Sequence, residues 1–493
     1  MRRLAVALAL LALSCGPTSR PDFVVHLVNA QGGNPFETLL MHGGACTSGT
    51  IRVDVQQGTN DVLTSNAMVN GAMIASLSVE IPSYALVTQI EVHVACASGM
   101  TLVGATPHFA PVGYGFVDIV LGEPSTCDPL VSPTLTPSRI APSMVTLGAN
   151  VLMVGGRASD GSPFQTIQAL DPVRLTYATA PVQSDPISIG IGLGGAAALT
   201  STQLFFVSSQ RTGTFDATPG TATPVVDVAV HEGGTRESAV VGLAGNGVAV
   251  VGGFDGTAAV SGITWISPTG VATQGSLAHP RRRPSAVVLG GTKLLIVGGQ
   301  DATLPLFEIV ELMSGTAAIP FGPNEARYAP VIATDVSGSH AFVALGTSDV
   351  ADDTSAVAGT YALSACTTAG CGMVVPGAPI ATEMLRGHVA TVTHQVGLGV
   401  GTVVTSQNET LVVGGIERTG APSRSIDRIT VGSEGQFSVT AFGMLTVARD
   451  QPSVSEIGGG VVLVAGGADA IGNALNTVEI CFPTELRPIG PAL

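Results

Sequence analysis

The residues of this 493-residue chain that could do chemistry fall into three groups: seven cysteines, a set of recurring arginines, and small clusters of histidine and aspartate. Six of the cysteines, Cys46, Cys96, Cys127, Cys366, Cys371 and Cys481, lie beyond the first fifteen residues. Their even count fits disulfides formed in an oxidising compartment. No Cys-x-x-Cys pair occurs and the histidines do not cluster with the cysteines, so no zinc site is expected. His388 and His394 are six apart on an expected strand, about 20 Å in an extended chain, too far to chelate one ion. Asp349, Asp352 and Asp353 form the densest acidic loop, but without the spacing of an EF-hand or a calcium-binding repeat they read as solvated. Arginines precede small apolar runs at six places: Arg139, Arg236, Arg283, Arg327, Arg386 and Arg449. A residue repeated at equivalent positions is expected to serve the structure, here by satisfying carbonyls between repeat units. No serine–histidine–aspartate elbow, phosphate loop or paired-carboxylate motif is present in usable context, so no catalytic residue and no cofactor is expected.

Composition narrows the classes further. The formal net charge is −15 and the one lysine is Lys293, which removes the basic footprint of a nucleic-acid binder. Charged residues make up 11% and hydrophobic ones 45%, with 63 glycines and 31 prolines. Such a chain buries a large core of small side chains and turns often, which excludes wholesale disorder.

What must position these residues is a repeat. An apolar run closing on Gly-Gly recurs at 151–156, 248–253, 294–299, 411–415 and 461–467, with degenerate copies at 204–209 and 341–346. Each is preceded by a small apolar strand and followed by another strand, as in Ile263-Thr-Trp-Ile-Ser-Pro268. Seven units of roughly 50 residues indicate a propeller or repeat array. Residues 22–122 lack the repeat. Their alternating runs, such as Ile51-Arg-Val-Asp-Val55 and Ile90-Glu-Val-His-Val-Ala95, read as half-buried strands of a separate unit.

The repeated Gly-Gly pair resembles that of kelch-type β-propellers. The resemblance implies an all-β chain with a seven-bladed kelch-like propeller over 128–483, preceded by a small Ig-like β-sandwich over 23–122. Residues 484–493 form a C-terminal tail. Pro129 to Pro137 would then supply the outer strand of the last blade and bring Cys127 beside Cys481. Cys46–Cys96 would bridge the sandwich and Cys366–Cys371 a local loop. Copper oxidases of this class need two tyrosines, two histidines and a cross-linked cysteine. Here Tyr177, Tyr328 and Tyr361 are spread over different units without matching histidines.

Met1-Arg-Arg3, the apolar run Leu4 to Leu13 and the junction Ser14-Cys15 resemble a bacterial lipoprotein signal over 1–15, with 16–22 as a tether. Together these readings describe a non-enzymatic lipoprotein, exported and anchored to the cell envelope at the outer membrane. It would bind a protein or glycan, with no nucleic-acid partner and no metal. The alternative is a secreted carbohydrate-active or oxidative enzyme with a diverged site. The binding face is expected in the polar loops after each Gly-Gly, at Arg157, Asp255, Asp301, Arg418 and Asp469. Mass spectrometry of the mature N-terminus should find a diacylglyceryl group on Cys15. An unmodified N-terminus at any other residue overturns the anchor.

Overall fold

The computed structural model describes residues 23–36, 46–58, 62–70, 76–81, 83–84, 86–112, 114–178, 182–183, 195–208, 211–218, 222–223, 225–231, 236–243, 247–300, 303–352, 354–364, 366–367, 370–371, 373–377, 379–381, 384–400, 403–432 and 435–486. Every helix or strand among them is a β-strand. Cys15 and Asp301 lie outside the described residues.

The N-terminal residues form two sheets. One is antiparallel, in the order Leu63–Asn70, Ser48–Gln57, Thr88–Cys96, Thr101–Ala105. In the other, Phe23–Val28 pairs antiparallel with Ser76–Val79 and parallel with Phe116–Val120. Strict alternation along Phe23–Val28 puts Phe23, Val25 and Leu27 inside. They meet Ile51, Val53, Ile90 and Val92 of the facing sheet in one core, which also holds the Cys46–Cys96 disulfide.

Among the described residues from Cys127 onward there are seven four-stranded antiparallel sheets. The first comprises Ser143–Leu147, Asn150–Val154, Ile167–Asp171 and Thr176–Tyr177. The third comprises Ala239–Gly242, Val248–Val251, Val260–Ile266 and Ala272–Arg281. The fourth comprises Ser285–Leu289, Lys293–Val297, Pro305–Glu311 and Ile319–Asn324. The sixth comprises Ala390–Val400, Val403–Val413, Ser423–Val431 and Phe437–Arg449. The second and fifth begin at Gly195–Ala198 and Val331–Thr334. The seventh runs Ser453–Gly458, Val461–Ala465, Val478–Cys481, and takes its fourth strand, Cys127–Pro129, from far upstream.

The first strand of each sheet packs on the next sheet in turn, and that of the seventh packs on that of the first, an arrangement consistent with a β-propeller-like fold. Second strands such as Val151–Val154, Val248–Val251 and Val461–Ala465 are buried at every residue, because a sheet between two others needs apolar side chains on both faces.

Two expectations change. The ladder of the outer strand runs over Cys127–Pro129 rather than along 129–137, where Leu130 and Leu135 each add one main-chain bond but Pro133 and Pro137 have no N–H to give. Nor is the N-terminal unit separate from the ring. Ala30, Val103, Ala105 and Val120 share a core with Leu130, Met153, Ile457 and Phe482 of the first and seventh sheets.

Cys127–Cys481 spans 354 residues and Cys366–Cys371 spans 5. Serine pairs at the two sites should therefore differ by about 3–4 kcal/mol, the long link costing more because it confines far more of the unfolded chain. Reversible denaturant unfolding of the two double variants measures that difference, and equal losses would overturn it.

Candidate binding face

Five of the sheets, the first, fourth, fifth, sixth and seventh, are entered past a buried arginine that bonds to the sheet it leads into. Arg281 ends the outer strand of the third sheet and is fully buried. Its Nη1 donates to the carbonyl of Gly298 at 2.6 Å and to Gln300 Oε1 at 2.6 Å, its Nη2 to the carbonyl of Pro305 at 2.8 Å, and its Nε to Glu308 Oε1 at 2.8 Å. All four acceptors belong to the fourth sheet or its loop. Arg449 repeats this between the sixth and seventh sheets, donating to the carbonyls of Gly466 and Thr477 and pairing with Glu479 at 2.7 Å. Arg386 pairs with Asp427 at 2.7 Å. Arg139 reaches Thr166 of the first sheet with no carboxylate, and burial pulls its pKa down to about 10.

Both glycines of a pair have positive φ, 74° at Gly298 and 83° at Gly299. A Cβ on Gly298 would lie 2.4 Å from the Arg327 carbonyl oxygen, and one on Gly299 would lie 2.9 Å from that of Arg282. The Gly299 N–H donates to the Arg327 carbonyl at 2.6 Å, so the main chains of adjacent units meet where a side chain cannot fit. In the seventh sheet the Gly467 N–H donates to the Arg139 carbonyl, continuing the pattern into the first.

The arginine register differs from expectation at two sites. The third residue of each entry segment has positive φ: Ala141, Glu237, Arg283, Ala329, His388 and Gln451. The buried arginine stands two residues earlier, so the fourth sheet uses Arg281, not Arg283. Arg236 is a second-position residue and exposed. At the third sheet His231 takes the arginine's role. Its Nε2 lies 2.9 Å from the Gly252 carbonyl and its Nδ1 lies 3.0 Å from Thr264 Oγ1.

The expected binding residues separate. Arg157 and Asp469 come together in a groove of about 470 Å³ built by loops of the first, sixth and seventh sheets, with Asp160, Asp450 and Pro422. Arg157 Nη2 donates to Gln451 Oε1 at 3.0 Å, and His388 Nδ1 lies 3.0 Å from both Gln451 Nε2 and Asp450 Oδ1. With Nδ1 bare, His388 accepts from Gln451; with Nδ1 protonated, it donates to Asp450. Asp469 accepts from the N–H groups of Ile471 and Asn473, and the Asn473 bond foremost lowers its pKa. Asp255 is bound within its own turn by the N–H groups of Ala258 and Thr257, which hold its pKa below the usual carboxylate range. Arg418 donates to the Ala356 carbonyl at 3.0 Å and links the sixth sheet's loop to the fifth's. Asp255 and Arg418 are thus away from the groove, each with a local hydrogen-bonding role.

Sequence reading overlooked His388, Asp450 and Gln451 as one group. A partial signal was present: counting back three residues from Pro142, Pro284, Pro330 and Pro452 gives Arg139, Arg281, Arg327 and Arg449 and sets Asp450 and Gln451 between Arg449 and its proline, whereas Arg386 and His388 precede Val389 and carry no such mark. Among the described residues no three His, Cys, Asp or Glu converge as metal ligands.

No protein-family model matches the chain, and no curated protein does. Among solved structures it is similar to one titled "Structure of YjhT", at 12% identity, covering 71% of this chain and 96% of that chain with a TM-score of 0.40.

Arg281→Met should cost about 3–5 kcal/mol by leaving Glu308 buried without its cation. Arg283→Met, which loses a bond to the Val350 carbonyl, should cost about 1 kcal/mol. Chemical denaturation of both variants checks the register, and the reverse order would refute it.

Proposed function

We propose that the chain is a kelch-type propeller of seven blades carrying an Ig-like sandwich, and that it acts as a non-enzymatic binding module. Its ligand is a protein or a glycan, and its place is the outer membrane of the cell envelope, held by lipid on Cys15. The observation that carries the reading is the groove in which Arg157, Asp160, Asp450 and Asp469 from neighbouring units converge. It offers donors and acceptors of both signs on loops fixed by buried arginines, which suits recognition of a polar surface.

The first strands of the second, third and fourth sheets support a binder over an enzyme. They read Gly-Ala-Ala-Ala, Ala-Val-Val-Gly and Ser-Ala-Val-Val-Leu in the second, third and fourth sheets, small and mostly apolar side chains rather than titratable ones. The three disulfides fit an oxidising compartment outside the cytoplasm.

The immobilised full chain can be tested against a glycan array and against envelope protein extracts. Arg157→Glu and Asp450→Arg should each lower capture of the bound species roughly tenfold, as expected for charge-assisted bonds. Their melting temperatures should stay close to wild type. Capture unaffected by either change removes the groove from consideration.

A further inference from the structure

The four-stranded N-terminal sheet buries Val53, Val55, Val92 and Val94 in its core. Its other face carries three cross-strand rungs: Arg52 opposite His93, Asp54 opposite Glu91, and Gln56 opposite Gln89. A polar strand face ordinarily meets water. Here Asp54 is 4% exposed and Glu91 is 2% exposed.

They line a cavity of about 740 Å³ together with Arg52, His93 and residues of the chain's far end, among them Glu485 and Leu486. Asp54 accepts from Arg52 Nε at 3.1 Å and from Thr64 Oγ1 at 2.7 Å. His93 Nε2 stands 4.0 Å from Asp54 and 3.9 Å from Glu91, beyond hydrogen-bond reach. Burial lowers the His93 pKa, so at neutral pH the ring brings no charge. The lining therefore sets three carboxylates, Asp54, Glu91 and Glu485, against one guanidinium. Apolar atoms of Val62, Val94, Leu102 and Leu486 complete the walls.

We propose that this cavity binds a small organic cation, an ammonium or guanidinium on a short apolar chain. The head lies at Asp54 and Glu91, where low exposure strengthens its attraction to the carboxylates, and the chain lies along the aliphatic walls. The site is distinct from the loop groove and does not depend on it.

Isothermal titration of the full chain in detergent with 1,5-diaminopentane at neutral pH tests this, with 1,5-pentanediol and glutarate as neutral and anionic counterparts. The diamine should bind saturably at one site and the other two should not. Glu91→Gln should weaken the diamine roughly tenfold, the loss of one charge-assisted bond. Glu485→Gln changes an exposed side chain and so preserves the fold. It should weaken binding by about threefold, and it decides the matter if the Glu91 variant does not fold. Failure of the diamine to saturate, equal binding of the diol, or wild-type affinity in every folded variant overturns the proposal.

Discussion

A guanidinium sealed from water is the constraint on which the ring depends. Moving its charge and that of its carboxylate out of solvent is costly, and only a full set of hydrogen bonds offsets the loss. Arg281 has such a set: two carbonyls at short range, Gln300 and Glu308. Glu308 in turn accepts the N–H groups of Ala278 and His279, from the outer strand that ends at Arg281. One ionic node thus ties the end of one sheet to two strands and the loop of the next. Glu479 does the same with the N–H groups of Thr446 and Val447. The node fixes the carbonyl of the first glycine, and through it the direction in which each loop departs.

The variations show which part of the node is indispensable. Arg139 has no acid, and Gln168 stands where Glu308 and Glu479 stand in their sheets. Arg327 draws its carboxylate from Glu325 on its own entry segment, at 2.9 Å. That acid also receives the Tyr361 hydroxyl, whose pKa rises to about 12, chiefly through burial. His231 supplies a ring nitrogen in place of a guanidinium. The cation and the acid can be exchanged, but in the first, third, fourth, fifth and seventh units a donor to the carbonyl just after the second strand persists. The fifth unit tolerates Leu345 at positive φ where the first, third, fourth, sixth and seventh use glycine, a strain accepted because Arg327 still reaches its carbonyl.

Much of this was legible in the sequence because it repeats. Gly-Gly after a buried apolar strand, and an arginine before the next unit, are local signals. The cysteine pairs of the structure are those the sequence reading assigns. The arginine register differs from the sequence reading at Arg283 because it sits in a run of three arginines, and at Arg236 because the third unit has Ser238 in place of the proline and a histidine, His231, in place of the arginine. Asp255 and Asp469 looked like ligand-binding acids since both sit in polar loops. In the structure their carboxylates cap N–H groups of those same loops, a role that sequence does not distinguish from exposure.

The N-terminal unit was harder to place because long-range packing decided it. The polar side of Ile51-Arg-Val-Asp-Val55 and Ile90-Glu-Val-His-Val-Ala95 reads as a solvent face under period-two alternation. The seventh sheet takes Cys127–Pro129 as its fourth strand, so the chain entering that strand must leave the N-terminal unit beside it. The turn at Gly458 and Gly459 then lies close to Thr106, Ala105 and Glu91: a Cβ on Gly458 would come within 2.2 Å of the Thr106 carbonyl oxygen. A face patterned for water is thereby enclosed by a contact that only ring closure creates. Its acids survive because Arg52, Thr64 and Gln89 hydrogen-bond to them. The same packing of the seventh sheet against the N-terminal unit turns the polar side of its four-stranded sheet into the lining of a charged cavity.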